Sequence, residues 1–463
     1  MSNDDADNDA VVILGGGIIG LSIAYHLSKS ADFKRHIHII DSASKLLESA
    51  SGYAGGFLAR DWFRPESAAL GELSFELHRQ LADAHGGHRR WGYAGSHVYS
   101  MSLHGEPEGS RVEDWLLEGT SRAAAVGRRA EGHVSAPGEQ VNDDGTPAWM
   151  VTQDGASWNV VSGAEDCAQV EPRRLCEFLV EECRRRGVEM HLSTRATGVI
   201  TTGDGKIVGV ETESTDQESG VRSLRCSDIV VAAGCWTPRI IETLFPRNRA
   251  KVEIDPLAGH SILYRTPRYA KPFGNVACGQ QDKFHGKDEN IAYAFYCPPT
   301  ESWSWAPEAY ARLNADSRPE IWVGGLNHDE TVLPLPELAT DTKKMINRES
   351  LAELRKVAVT LTGLKQPGSQ AAEDDLEVEW EGLCFRPVSR SGVPIIGQIL
   401  PKDLGVGFQV SSGAKVWVAS GHGPWGISLS LGTGVVMGDL INGHEPRVDI
   451  SGLKPESRVS SKL

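Results

Sequence analysis

The chain is short of positive charge, of long apolar runs and of paired cysteine spacings, and each shortage removes a class of function. Lys and Arg number 47 against 62 Asp and Glu, a formal net charge of −15. Nucleic acid and anionic membrane surfaces repel such a chain, so neither is an expected partner. The longest apolar stretch is broken by glycines around Gly15. It follows an acidic tail, Asp4-Asp5-Ala6-Asp7, where a signal peptide needs positive charge. No secretion and no membrane span are expected. Eight cysteines occur in 463 residues without a single Cys-x-x-Cys spacing. That suits neither a zinc site nor a disulfide framework, so reduced thiols and no metal centre are expected. With 40% hydrophobic and 24% charged residues, the composition is that of a globular chain long enough for two domains.

What the chain does have is glycine at the ends of apolar runs. Val11–Leu14 is an uncharged run that reads as a strand buried on both faces. It passes into Gly15-x-Gly17-x-x-Gly20 and then into Leu21–Ser30, which has helical character. Strand, glycine turn and helix are the context in which this motif binds a dinucleotide. Gly15 permits the tight turn, Gly17 lets backbone approach a pyrophosphate, and Gly20 lets the helix lie close on the strand. The helix N-terminus, with Ile18 and Ile19, offers unpaired N–H groups to the phosphates. A second apolar strand, His36–Ile40, ends in Asp41, an acceptor for ribose hydroxyls that disfavours a 2′-phosphate.

The following segment, Ser49-Ala50-Ser51-Gly52-Tyr53-Ala54-Gly55-Gly56-Phe57, is dominated by small residues, as close passage along a large ligand requires. Glu66–Ala84 carries Leu70, Leu73, Leu77 and Leu81 at helical spacing, and Pro172–Gly187 reads as a second helix. Val199–Thr202 and Ile207–Thr212 read as a hairpin around Gly203-Asp204-Gly205. Asp228–Ala233 is another buried strand that delivers Gly234 and Trp236 to the ligand. Residues Lys251 to about Trp380 are aromatic and strand-rich, the wall of a pocket between domains. Val416–Ala419 then delivers Gly421-His422-Gly423-Pro424-Trp425-Gly426 and a long helix, a second strand–glycine–helix unit. Its N-terminal dipole suits an anionic ligand edge. The chain closes on Ser461-Lys462-Leu463, the tripeptide read by the peroxisomal import receptor, so a peroxisomal location is expected.

Together these residues resemble the family of FAD-dependent D-amino-acid, sarcosine and glycine oxidases. The resemblance runs through Gly15–Gly20, Asp41, Ser51–Gly56, Val170-Glu171-Pro172-x-x-Leu175, Val231–Gly234 with Trp236, Phe385-Arg386-Pro387, Pro394–Gly397 and Gly421–Gly426. Ala50–Leu58, Leu77-His78, His85-Gly86-Gly87 and Arg90–Tyr93 look most like a fungal, Tda3-like branch of it. Gly105–Gly155 and Pro298–Pro319 look like insertions.

The resemblance implies an α/β chain in which a Rossmann-type FAD-binding domain (1–95, 156–246, 379–463) is interleaved with a mainly antiparallel substrate-binding domain (96–155, 247–378). It implies FAD held by Gly15, Gly17, Ile18, Ile19, Gly20, Asp41, Ser42, Ser51, Gly52, Ala54, Gly55 and Gly56. Ala196, Ala233, Gly234, Trp236, Cys384, Gly421, Gly423, Pro424, Trp425, Gly426 and Ile427 complete the cofactor set. Arg386, His422 and Trp425 are the expected catalytic residues, with Arg386 clamping a substrate carboxylate. Cys384 is either a covalent flavin link or a buried thiol, and the thiol is the expected state. The implied reaction removes hydride from an amine or amino acid, leaves an imine, and reduces O₂ to hydrogen peroxide. A flavin dehydrogenase with another acceptor, or a non-catalytic FAD-binding interaction protein, are the alternatives. His260, Trp62, Tyr293 and Tyr296 are softer candidates for the pocket wall.

Overall fold

In the computed structural model the described residues are 10–30, 33–103, 146–147, 149–151, 156–216, 220–269, 291–300, 303–327, 333–363, 375–405 and 413–457. Most of the Gly105–Gly155 stretch, and the Ser461-Lys462-Leu463 terminus, lie outside them. Strand β1 (Ala10–Leu14) leads into helix α1 (Ile18–Lys29) and β2 (His36–Ile40). Next come β3 (Phe57–Ala59), helix α2 (Pro65–His85) and β4 (Ala94–Leu103). After β5 (Ala156–Ser162) and β6 (Cys167–Gln169), helix α3 (Pro172–Arg185) precedes β7 (Glu189–His191). The chain continues through β8 (Thr194–Thr201), β9 (Ile207–Ser214), β10 (Arg222–Arg225), β11 (Asp228–Val231) and helix α4 (Thr237–Leu244). Strands β12 (Ala250–Lys251), β13 (Ile254–Arg265), β14 (Ala292–Tyr296), β15 (Glu308–Leu313) and β16 (Pro319–Gly324) lead to helix α5 (Arg348–Thr362). The last elements are β17 (Glu377–Ser389), β18 (Ile395–Ile399), β19 (Lys415–Ser420), helix α6 (Gly426–Ile441) and β20 (Glu456–Ser457).

Two large sheets organise these elements. The first is six-stranded in the order β18-β19-β11-β1-β2-β7, parallel except at its β18 edge. Its central strand β1 is buried at every position, which explains a run of five apolar residues without alternation. The second is nine-stranded, with the path β17-β13-β16-β15-β14-β4-β6-β3 and β5 paired to β4, and it is mostly antiparallel. One face of it packs on α5, where Leu351, Leu354, Val357 and Leu361 meet Ile262, Tyr264 and Val323. Asn347 caps that helix, its side chain accepting from the amides of Glu349 (2.7 Å) and Ser350 (3.2 Å). The opposite face turns toward the first sheet. The chain is thus of the α/β class, with a parallel nucleotide-type sheet and an antiparallel companion.

Four segments differ from expectation. Pro298–Pro319, which reads as an insertion, contains β15, and β15 is an interior strand paired on both sides. The ladder between β13 and β17 runs from Ile254–Ser389 to Arg265–Glu377, so residues 379–389 belong to the antiparallel sheet. Strands β3 and β6 join it as well. No helix among the described residues is long and apolar enough to cross a membrane.

Helix α6 runs through the middle of the first layer, against α1 and α2. Small residues make this approach work: a Cβ on Gly434 would stand 2.6 Å from the Ser22 carbonyl oxygen. The Gly432 amide donates to Ser74 Oγ at 3.0 Å. Two buried histidines flank the start of this helix. His78 Nε2 lies 3.0 Å from the Ile427 carbonyl oxygen, and His422 Nε2 lies 3.0 Å from Thr433 Oγ1. Burial pushes His78 down to about 4 and His422 down to about 3, so both are neutral at physiological pH.

The unfolded chain protonates these histidines below about pH 6.5, whereas the folded chain does so only near pH 4 and 3. Stability therefore falls as pH drops from about 6.5 toward those values, by at most about 1.4 kcal/mol per pH unit for each group. Denaturant melts are expected to show that fall between pH 7 and pH 5. His78→Gln, which keeps a donor for the Ile427 carbonyl, is expected to make the dependence shallower; an unchanged slope would contradict the assignment.

Candidate functional site

A cavity of about 540 Å³ lies where the carboxyl ends of the parallel strands meet the inward face of the antiparallel sheet. Its first wall is the turn after β1. Gly15 sits at φ +114°, and a Cβ there would stand 2.6 Å from the Ala232 carbonyl oxygen, so only glycine lets β1 and β11 end this close. Gly17, at the cap position of α1, and the first helical residues Ile18 and Ile19 line the cavity. The Ile18 amide already donates to Ser51 Oγ at 3.0 Å, which joins this turn to the next wall.

Asp41 and Ser42 stand at the end of β2. Asp41 Oδ2 accepts from the Gly16 amide (2.8 Å) and Oδ1 from the Ala43 amide (2.9 Å). Those bonds fix the carboxylate beside the turn. Burial raises its pKa above the ordinary aspartate value, and the two amides oppose that shift. The second wall is Ser51, Ala54, Gly55 and Gly56, behind which Arg312 Nη1 donates to the Gly55 carbonyl. Ala196 of β8, and Ala233, Gly234 and Trp236 after β11, form the third. Trp236 Nε1 donates to the Pro336 carbonyl at 2.8 Å, drawing residues 333–345 over this side of the cavity.

The far end is built from β17 and the start of α6. Cys384 and Arg386 line it from β17, two residues apart and hence on one face. Arg386 Nη1 donates to Asn327 Oδ1. Burial pushes the Cys384 thiol up while Arg386 pulls it down. His422, Gly423, Pro424, Gly426 and Ile427 bring the N-terminus of α6 to the same end. His422 is 3% exposed, and its Nδ1 has no hydrogen-bond partner.

Four expected contact residues are not among those lining the cavity. A Cβ on Gly20 would run into the Gly15 carbonyl, and one on Gly52 into the Leu47 carbonyl. Both glycines therefore shape the turns from behind. Gly421 sits at φ +78° and redirects the chain between β19 and the helix. Trp425, expected to be catalytic, packs edge-to-face on Phe63 at 5.0 Å between ring centroids. It is half-buried and packs against the core beneath the turn.

The softer candidates also lie outside the lining. His260 Nε2 accepts the Asn347 amide at 2.9 Å, so its ring supports the start of α5. Tyr296 bonds to Tyr310 through its hydroxyl at 3.1 Å, and Trp62 and Tyr293 are core residues. Glu308, Ser261 and Trp322 do line the cavity, and sequence reasoning passed over them. The signal for Glu308 was the alternation Glu308-Ala309-Tyr310-Ala311-Arg312, a polar face on a strand. Away from the cavity, at the outer edge of the parallel sheet, His38, Glu189 and His191 bring ligand-type atoms within 4.8 Å of one another. There the two imidazoles contact each other, Nδ1 to Nε2 at 3.2 Å, and join β2 to β7.

These walls fit a flavin dinucleotide. Glycine backbone, a helix N-terminus and an anchored ribose-type acceptor stand at one end. At the other, a second helix N-terminus and an unpartnered buried imidazole nitrogen face a ligand with polar edges. Comparison with known proteins agrees. Residues 10–440 match the model of the DAO family, FAD dependent oxidoreductases. A Schizosaccharomyces pombe protein is 28% identical, over 97% of this chain and 98% of that one. Saccharomyces cerevisiae TDA3 is 22% identical, over 96% and 94%. Among solved structures, glycine oxidase from Bacillus cereus shares the fold with a TM-score of 0.62 at 18% identity, covering 98% of this chain and 100% of its own.

Asp41→Ala removes the anchored acceptor. An ionic hydrogen bond of about 1.5–3 kcal/mol corresponds to a loss of roughly tenfold to a hundredfold in FAD affinity. Titration of flavin into the apoprotein, followed by fluorescence, checks this, and a melting curve monitors the loop that Asp41 also holds.

Proposed function

The chain belongs to the DAO family of FAD-dependent oxidoreductases, and on that premise we propose that it oxidises a carboxylate-bearing amine or amino acid. One observation carries the reading: Arg386, held by Asn327, lines the same cavity as the dinucleotide turn. When bound, FAD supplies a two-electron acceptor for the hydride of a substrate C–H bond.

The chain's own residues do the rest. Arg386 offers a planar fork of donors to a carboxylate, a geometry a lysine cannot reproduce. Its side chain passes over Gly259, where a Cβ would stand 2.8 Å from Nη2, so glycine leaves room for the guanidinium. Trp322 and Phe385 wall the same end, and an ionic contact beside apolar rings is stronger than one in open water. His422 stays neutral and presents one imidazole nitrogen for a hydrogen bond without adding charge. The Gly426 end of α6 adds a fixed partial positive charge there. Loss of hydride from an amine carbon leaves an imine, which water hydrolyses to a carbonyl compound and ammonia or an amine.

Dioxygen is the proposed electron acceptor, with hydrogen peroxide as product, and the peroxisome is the proposed location. The support for both is the Ser461-Lys462-Leu463 tripeptide together with the family's chemistry. Fluorescently tagged full-length chain is expected to co-localise with a peroxisomal marker, and deletion of the tripeptide is expected to leave it diffuse.

The enzymatic reading is tested by anaerobic bleaching of the bound flavin over D- and L-amino acids, N-methyl amino acids and cyclic imino acids. Bleaching is expected with at least one carboxylate-bearing amine, followed by peroxide release in air. Arg386→Met is expected to lower kcat/KM for it by about a hundredfold, as loss of a desolvated ionic contact does. Bleaching without peroxide would point to another electron acceptor. A flavin that none of these compounds reduces would sink the proposal.

A further inference from the structure

The inward face of the antiparallel sheet carries a second set of polar groups beside Arg386. In the ladder, Gly382 pairs with Ser261, and Gly324 pairs with Glu308. The Ile262–Val323 pair sets Ser261 beside Gly324 one step further along. Gly382, Ser261, Gly324 and Glu308 therefore form one row across β17, β13, β16 and β15. Successive side chains alternate between faces, so this row shares its face with Cys384, Arg386 and Gly259. The two glycines in the row make room for aromatic rings on either side of Ser261: Trp322 lies over Gly324, and Tyr53 and Trp380 lie over Gly382.

Polar groups beside those rings are unusual for a buried sheet face. Ser261 is 2% exposed, lines the cavity, and its hydroxyl has no hydrogen-bond partner. Such a hydroxyl is costly to bury unless something arrives to satisfy it. Glu308 is 3% exposed and lines the same cavity. Its Oε2 accepts the Tyr310 hydroxyl at 2.7 Å, and Tyr310 in turn contacts the Tyr296 hydroxyl at 3.1 Å. These contacts fix the carboxylate in place. The ring of Tyr310 is itself fixed, stacked on Trp322 at 5.1 Å and 7°.

The spacing suits one small dipolar molecule. The Arg386 guanidinium lies over Gly259, and Glu308 stands two strands away and two residues along. At about 4.8 Å between strands and 3.4 Å per residue, the backbones of Gly259 and Glu308 are about 12 Å apart. Once the glutamate side chain is counted, the remaining span matches a carboxylate and an amine a few bonds apart, with one hydrogen bond at each end.

We infer that Glu308, with Ser261, forms a subsite for the positively charged amine of a substrate whose carboxylate is held by Arg386. The inference rests on Arg386 as the carboxylate clamp. It narrows the substrate to amino acids whose nitrogen is basic: primary, N-alkyl or cyclic amines rather than N-acyl compounds. Glu308 is a binding and positioning residue, and no proton is routed through it.

Binding to the holoenzyme tests this without turnover, through perturbation of the flavin absorbance under anaerobic conditions. The probes are glycine, D-alanine and L-proline, set against acetate, propionate and cyclopentanecarboxylate, which keep the carboxylate and lack the amine. Wild-type protein is expected to prefer each amino acid over its partner. Glu308→Gln retains an acceptor for the Tyr310 hydroxyl. It is expected to weaken the amino acids about tenfold and leave the simple carboxylates within twofold. Ser261→Ala is expected to weaken the amino acids a few-fold, and Arg386→Met to weaken both sets.

Equal loss of both sets in Glu308→Gln, or no loss of either, overturns the subsite. Carboxylate binding that survives Arg386→Met overturns the clamp instead, whatever Glu308→Gln does. A wild-type protein that binds neither set overturns both. Binding with the expected selectivity but no bleaching leaves the subsite standing and removes the oxidative reading alone.

Discussion

The structure depends on backbone pressed against backbone where the parallel strands end. The end of β1 meets the segment after β11 so closely that Gly15 has no room for a side chain. The Gly15 amide donates to the Ile40 carbonyl at 2.9 Å, and the Ala232 amide donates to the Leu14 carbonyl at 2.9 Å. Three neighbouring strands are thus locked at one level. From that level the Asp41 carboxylate is drawn onto the Gly16 amide, and the first turn of α1 is tied to Ser51. A bulkier residue at the turn would do more than block a ligand. It would part the strands that carry three walls of the cavity.

The opposite wall answers to a different constraint, the period-two alternation of an antiparallel sheet. Its outer face is apolar and meets α5, which frees the inner face from supplying most of that core. The inner face can then afford Glu308, Tyr310, Arg312 and Glu320, each held by a named partner. Arg312 bonds Glu320 at 2.9 Å and also the Gly55 carbonyl, so the polar face grips the glycine segment of the cofactor wall. A Cβ on Gly55 would strike the Tyr310 ring. The two sheets therefore meet through a glycine on one side and an anchored aromatic on the other.

How much of this was legible in the sequence followed from how local each feature is. Gly15–Gly20, Asp41 and the Gly421–Gly426 turn belong to strand–turn–helix units whose parts are adjacent in sequence. Glu308 and Ser261 meet only through the β13-β16-β15 ladder, with 46 positions between them, and no short motif announces such a pairing. β15 lies within Pro298–Pro319, where the resemblance is weakest and the segment reads as an insertion, although Glu308–Arg312 alternates polar and small residues. Trp425 failed in the other direction. It sits in a turn that lines the cavity, but neighbouring residues of a tight turn face different ways, and its ring packs on Phe63. Motif spacing locates a turn; it does not say which side chains point outward.

The charge of the cavity follows from the charge of the chain. At −15 overall, the molecule repels anions, so any attraction for one has to be local. Several of the arginines near the site are already spoken for. Arg195 bonds Glu213 at 2.6 Å and Glu337 at 2.9 Å, and Arg312 bonds Glu320. Arg386 donates to the neutral amide oxygen of Asn327, a contact that orients the guanidinium and is not itself an ion pair. An amide there gives direction and leaves the field intact, whereas a carboxylate at 327 would complete an ion pair and spend the attraction internally. The neutral partner at 327 directs the guanidinium toward the cavity that it lines.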